Sequence, residues 1–324
     1  MKKGAFVISL DFELYWGIGD HIDYNTYKGY FDATIESIPE QLKLFETYNI
    51  HATWATVGML WNRDWETWKT NQPSRIPKYT NKRLSNYYLG EEINKDSCDT
   101  SHFFATELIQ KIRSTVGQEL GSHTYSHYYC NETNPIEQAF EYDLLQAVSM
   151  LGPTESPVES LVFPRNQFVG DTLRIVKEKG FTSVRTNPDV WYWELKNINR
   201  MSSRIARLID AYFSIFKMKS HNWDALKMTA GVLKQPASRF LRPPGSSSFF
   251  NKIRIVRIKK EMSHAAKHGH LYHLWWHPHN FAGDSKLSLK ELESILQHYN
   301  SLKSRYGMIS MSMKEVTQYY KQYA

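Results

Sequence analysis

The chain has 324 residues, 41% hydrophobic and 23% charged, a globular balance long enough for one large α/β domain or two smaller ones. Forty Lys and Arg against 33 Asp and Glu leave a net charge of +7, yet no dense Lys/Arg run appears, which speaks against nucleic acid as a partner. Two cysteines, Cys98 and Cys130, exclude a disulfide framework, no apolar run approaches the roughly 18 residues of a spanning helix, and MKKGAFVISLDFELYWG meets acidic residues too early for a secretory segment. These features together predict a cytoplasmic protein.

Ala5–Leu10 is a short apolar run ending in Asp11-Phe12-Glu13, the pattern of a buried strand with carboxylates at its C-terminal end. A helix is expected over Ile35–Tyr48 and a second strand over Ala52–Met59, which opens a βαβ series. From Trp61 to about Thr100 no period survives, and the stretch reads as an insertion covering one mouth of the domain. The rhythm then returns. Helices are predicted over Phe103–Ile112, Ile136–Leu151 (after Pro135) and Thr172–Lys179, the last stopped by Gly180, with strands at Gln118–Gly121, Pro157–Phe163 and Phe181–Arg185. Leu271–Trp276 and Met308–Ser310 are the late strands, and helices are expected over Leu287–Arg305 and from Met313. About seven strands alternating with helices predict one α/β domain over residues 1–324, as a parallel barrel or a doubly wound sheet. Asn199–Lys219 interrupts the series: Met201, Ile205, Leu208, Tyr212 and Ile215 form an apolar stripe flanked by Arg200, Arg204, Arg207, Lys217 and Lys219. Such a stripe more often packs on its own domain, and the alternative is contact with an anionic membrane.

His123 and His127 stand four apart in GQELGSHTYSHYY, so on one helical turn they would face the same way and offer two nitrogens to one divalent metal. Asp11 and Glu13 end the first strand, and barrel strands converge at one mouth. Two histidines and one carboxylate leave coordination positions open for water and substrate, whereas a structural site closes its shell with four ligands. The remaining carboxylate can then serve as general base. His264 and His268 repeat the four-residue spacing without a strand-end carboxylate and are read as a solvated helix face.

SLDFELYWG, SHTYSH, FPRNQF and WWHPHNF, in this order from about Phe6 to Met313, resemble the motifs of the polysaccharide deacetylase family. The resemblance implies a distorted, TIM-like (β/α) barrel and metal-assisted hydrolysis of an N-acyl group on a sugar. It implies Asp11 as general base. The family's second Asp is replaced by Phe12, which leaves Glu13 as the metal ligand beside His123 and His127, with exchanged carboxylate roles as the alternative. Arg165 would orient the base, with Arg242 in FLRPPGS as runner-up. His277 would protonate the leaving amine within a surround of Leu274 and Trp275, with His279 close enough to compete. Asp189 and Trp191 in NPDVWYW would support that acid and one wall of the groove. An aromatic content of 14%, with 10 Trp and 20 Tyr, suits sugar rings as well as a core, and Trp16, Trp191, Trp275 and Trp276 are the candidate substrate-binding residues.

The leading expectation is therefore a metal-dependent N-deacetylase acting on a bacterial surface polysaccharide or its precursor. Zinc is the expected metal, with cobalt, nickel or manganese as substitutes. One alternative is a deformylase or amidase acting on a lipid-linked amino sugar at the membrane. The other, from a different class, is a carbohydrate-binding protein whose metal site Phe12 has broken.

Overall fold

The computed structural model describes residues 2–94, 98–133, 136–151, 157–169, 171–194, 197, 200–212 and 218–323, with the side chains of 136–138 excepted. Strand β1 (Ala5–Phe12) is buried at every position, as expected of a strand covered on both faces. Strand β9 (Leu271–Trp276) pairs with β1 over Ala5–Leu10. On the other edge β10 (Ile309–Met311) takes Ala5–Val7 and β2 (Ala52–Thr56) takes Ile8–Phe12. Outward from β2 follow β3 (Gln118–Ser122), β4 (Ser160–Leu161), β5 (Ser183–Thr186), β7 (Val232–Pro236) and β6 (Lys227–Thr229), while β8 (Arg239–Phe240) lies beyond β9. Every pairing is parallel except β6 with β7.

Helices surround this curled sheet: α1 (Tyr15–Ile18), α2 (Tyr24–Tyr48), α3 (Trp65–Thr70), α4 (Asn86–Ile93), α5 (Thr106–Ser114), α6 (Ile136–Met150), α7 (Thr172–Glu178), α8 (Met201–Tyr212), α9 (Ser248–His268), α10 (Ser285–Tyr306) and α11 (Met313–Tyr323). The result is an α/β half-barrel. All seven expected strands are present, and β6, β7 and β8 are three more. No pairing joins β6 to β8 among the described residues, so the barrel stays open. The short strands were hidden by their length and by polar residues such as Lys227, Lys234 and Arg239. Helix α2 starts 11 residues before the expected Ile35, at an Asp23 cap that accepts the Thr26 N–H at 3.0 Å. Helix α9, absent from the predicted series, runs from the Ser247 cap to Gly269, whose φ of 66° is the left-handed stop that glycine favours.

Two expectations change at this level. The described residues of 61–100 do not line the cavity that holds Asp11, Glu13, His123 and His127. Trp65 and Trp68 pack on Trp16 with ring centroids at 6.1 Å, and Asn86 donates to the Trp16 and Ser126 carbonyls at 2.7 and 3.0 Å, so the insertion supports the site from behind. The amphipathic segment is helical over Met201–Tyr212, with 213–217 outside the described residues. Its apolar stripe (Met201, Ile205, Leu208) is exposed, and Ser203, Ala206 and Asp210 form the buried face, because Asp210 is drawn into an internal cluster of charges. No helix of the described residues is long and apolar enough to cross a membrane.

Candidate metal centre

Side chains alternate across a strand, so Asp11 and Glu13, two apart, reach the same mouth while Phe12 between them points into the core. Phe12 is therefore a core residue and does not line the cavity. Gly17 leaves room for the Glu13 carboxyl: a Cβ there would lie 2.0 Å from Glu13 Cδ. Both histidines follow β3, but not on a helix. They sit on a loop bent by left-handed backbone at Thr124 (φ 64°) and His127 (φ 55°), conformations that cost non-glycine residues energy and gather at functional sites. Asp143 of α6 holds the bend. Its carboxylate accepts the N–H groups of Tyr125 (2.8 Å) and Ser126 (3.1 Å) and the Ser126 hydroxyl. Burial raises the Asp143 pKa to about 6 against those three donors.

The loop brings His123 Nε2 to 3.4 Å and His127 Nε2 to 3.2 Å from Glu13 Oε2, with one ligand atom of each within 4.8 Å of the others. His123 donates from Nδ1 to the Val162 carbonyl at 2.8 Å, which leaves Nε2 as an electron-pair donor in the neutral ring. His127 Nδ1 meets the Tyr129 hydroxyl at 3.0 Å. Burial alone would raise the Glu13 pKa, but His277 and then His123 and His127 pull it well below the usual range. Burial holds His127 down as well, in its neutral form. A buried carboxylate and two imidazole nitrogens thus converge from three directions, a donor set that fits a divalent cation of borderline softness. Across from them, His279 Nδ1 is buried without a hydrogen bond among the described residues, 3.8 Å from Glu13 Oε1.

Asp11 has a different partner from the expected one. Arg185, at the end of the predicted Phe181–Arg185 strand, donates to Asp11 Oδ1 and Oδ2 at 2.7 and 2.6 Å and is itself held by Asn166 and Ser9 at 3.0 Å. Burial opposes ionisation of Asp11, but Arg185 prevails and lowers its pKa. Arg165, at the cavity rim, instead pairs with Asp20 at 3.0 Å and lies over the Tyr129 ring at 4.2 Å, because its left-handed backbone (φ 56°) turns it outward. Arg242 lies in a separate cleft. The signal for Arg185 was in the sequence, a charged residue ending a predicted strand.

His277 lies just past β9, with Nε2 at 3.8 Å from Asp11 Oδ2 and 3.7 Å from Glu13 Oε1, and its Nδ1 at 3.2 Å from Asn280 Oδ1. His279 stacks on it at 4.7 Å, and burial lowers the His279 pKa to about 3, which holds that ring neutral. Trp275 faces the cavity, but Trp276 does not. As the next residue of a strand it points the other way, into the core, where its Nε1 donates to Gln41 at 3.0 Å. Leu274 is core for the same reason. Trp16 is also core, stacked on Trp68 and donating to the Phe103 carbonyl at 2.7 Å. Trp191 is 47% exposed and off the cavity. Asp189 is exposed, does not line the cavity, and its charge acts on His221. The cavity encloses about 260 Å³ between Asp11, Glu13, His123, His127, Trp275 and His277.

Residues 29–184 match the family model described as polysaccharide deacetylase. The match spans just under half of the chain and shows a likeness to that family. The matched range contains His123, His127 and Arg165 but not Asp11, Glu13, Arg185 or His277, and it is shorter than the Phe6–Met313 span of the resembling motifs. No curated protein sequence matches the chain. Among solved structures it is similar to a Mycobacterium smegmatis protein assigned as a polysaccharide deacetylase (12% identity, TM-score 0.60, covering 99% of this chain and 92% of that one). It is also similar to a Pseudomonas aeruginosa PAO1 protein of the same assignment (12%, 0.58, 98% and 90%) and to Puue allantoinase (11%, 0.58, 98% and 90%). At these identities the likeness is one of fold, and the shared half-barrel extends over nearly the whole chain.

Proposed function

We propose that the chain removes an N-acyl group, acetyl first among candidates, from an amino sugar of a bacterial surface polysaccharide or its precursor. What carries the reading is the convergence of Glu13, His123 and His127 beside an ionised Asp11 and a half-buried His277. A divalent ion held by the first three, zinc before cobalt, nickel or manganese, would supply Lewis acidity to the amide carbonyl and the attacking water. Asp11 accepts the proton of that water, with Arg185 fixing its direction and keeping it ionised. His277 delivers a proton from Nε2 to the departing nitrogen, and Asn280 holds its ring by Nδ1. Trp275 offers the flat wall for the sugar ring.

The test is metal content by elemental analysis, with acetate release from N-acetylated sugars measured in parallel. About one transition metal per chain is expected, with loss of both metal and acetate release in Glu13→Ala and His123→Ala. Metal retained in Glu13→Ala would move the carboxylate ligand to Asp11. No metal in any form, even after reconstitution, would overturn the mechanism and leave a sugar-binding protein.

A further inference from the structure

Trp275 is a wall of two cavities. One is the site above. The other is a cleft of about 20 Å³, room for one compact group, whose lining includes Trp193, Arg207, Asp210, Lys219, Arg239 and Arg242. Four cationic side chains thus meet one carboxylate. Asp210 is already engaged, by Lys219, by Arg239 at 3.5 Å and by Arg257 at 3.3 Å. Behind it, Glu261 accepts two hydrogen bonds from Arg239 at 2.8 and 2.7 Å and faces Arg257 at 3.4 Å. Two carboxylates therefore serve three cations, and the half-buried Arg242 side chain makes no hydrogen bond or ion pair among the described residues. Burial lowers the pKa of Arg242; Tyr212 favours its charge, while Arg239 and Arg254 each repel it more strongly than Asp210 attracts it. Arg207, with its guanidinium over the Trp193 ring at 5.2 Å, in turn feels the Arg242 charge.

Keeping like charges together at the edge of the interior is costly unless an anion completes the set. The cleft is too small for a pyranose but suits a tetrahedral oxyanion, and a guanidinium fork matches phosphate oxygens two at a time. A single carboxylate would leave the cluster of five cations and two carboxylates strongly positive, whereas a phosphoryl group brings more charge. We propose that this cleft is a phosphoryl subsite with Arg242 as its principal ligand, and that the substrate is a phosphorylated amino sugar, one indole away from the reacting amide. The assignment of substrate rests on the deacetylase reading of the neighbouring cavity, while the anion site itself does not.

The experiment compares binding of N-acetylglucosamine 1-phosphate, N-acetylglucosamine and N-acetylglucosaminyl-glucuronate by calorimetry, using the protein and its Arg242→Gln and Arg242→Lys variants. The phosphate is expected to bind at least about tenfold more tightly than the neutral sugar, as charge-assisted hydrogen bonds allow. That preference should collapse in Arg242→Gln and survive in part in Arg242→Lys. Inorganic phosphate should displace the sugar phosphate from the unmodified protein, which keeps the test valid if Arg242→Gln fails to fold. Equal affinity for phosphorylated and neutral sugars, a preference untouched by Arg242→Gln, or tighter binding of the glucuronate would overturn the phosphoryl assignment. Discrimination without acyl release would sink the deacetylase reading and leave the anion site standing. A lower KM for a nucleotide-linked than for a polyprenyl-linked sugar would place the phosphate on a soluble donor, and the reverse on a lipid.

Discussion

Asp11 stays charged in a buried site because Arg185 grips both of its oxygens. Arg185→Gln should therefore do two separable things. It leaves a buried carboxylate without its counter-charge, a loss of about 3–5 kcal/mol in chemical denaturation. It also removes the strongest influence that opposes burial at Asp11, leaving only His123 and His277, so the acid limb of the pH–rate profile moves to higher pH. An unmoved acid limb would mean that Asp11 is not the base. At this scale the sequence was partly legible. Asp11, Glu13, His123, His127 and His277 lie together as spacing and motif order suggested, since a period of two and a short loop bring neighbours to one mouth. The arginine was misplaced because FPRNQF invites a motif match, while Arg185 reaches Asp11 across 174 residues of chain. Among the tryptophans, strand alternation decided between Trp275 and Trp276, a rule available from sequence alone.

At the scale of elements, the loop that carries His123 and His127 depends on one helix. Asp143 lies in α6 and is fully buried, an acid in the apolar stripe of a predicted helix, which is a signal that sequence reading could have used. Asp143→Ala removes the acceptor for two backbone N–H groups and one hydroxyl, and each buried group left unmatched costs about 1–3 kcal/mol. The strained backbone at Thr124 and His127 would then relax, and metal affinity should fall about 10- to 100-fold, as for loss of a ligand's support. Competition against a chelator of known affinity measures it. Unchanged affinity in a folded variant would show that the loop holds itself. The helical spacing of His123 and His127 anticipated their convergence for the wrong reason: the loop achieves with two left-handed residues what one helical turn would have done.

The whole molecule is tied through β1, with β10 and α11 bringing the last residues to the first strand. His51, just before β2, binds Glu315 of α11 through Nδ1 at 2.7 and 2.9 Å. The hydrogen bond raises the His51 pKa above 6.5, so its contribution is full below that value and is lost as pH rises through the folded-state pKa. Burial works against ionisation of Glu315, yet His51 and the Ser312 N–H bring its pKa below 4.5, so its contribution is lost as pH falls through the folded value. The pair is expected to stabilise most between about pH 4.5 and 6.5. His51→Gln should flatten the decline in thermal stability above that window. An equally steep decline in the variant would assign it to other groups.

The sequence by itself determined the α/β class, the seven main strands and the carboxylate and histidine pairs, because these follow from local periodicity and from residues close in the chain. Only the tertiary structure decided that the barrel stays open, that Arg185 holds Asp11, that residues 61–100 support the site from behind, and that Arg207 and Arg242 share a cleft with Trp275. Each of those is a contact between distant segments, set by which surfaces the sheet brings together and which charges burial forces to find partners.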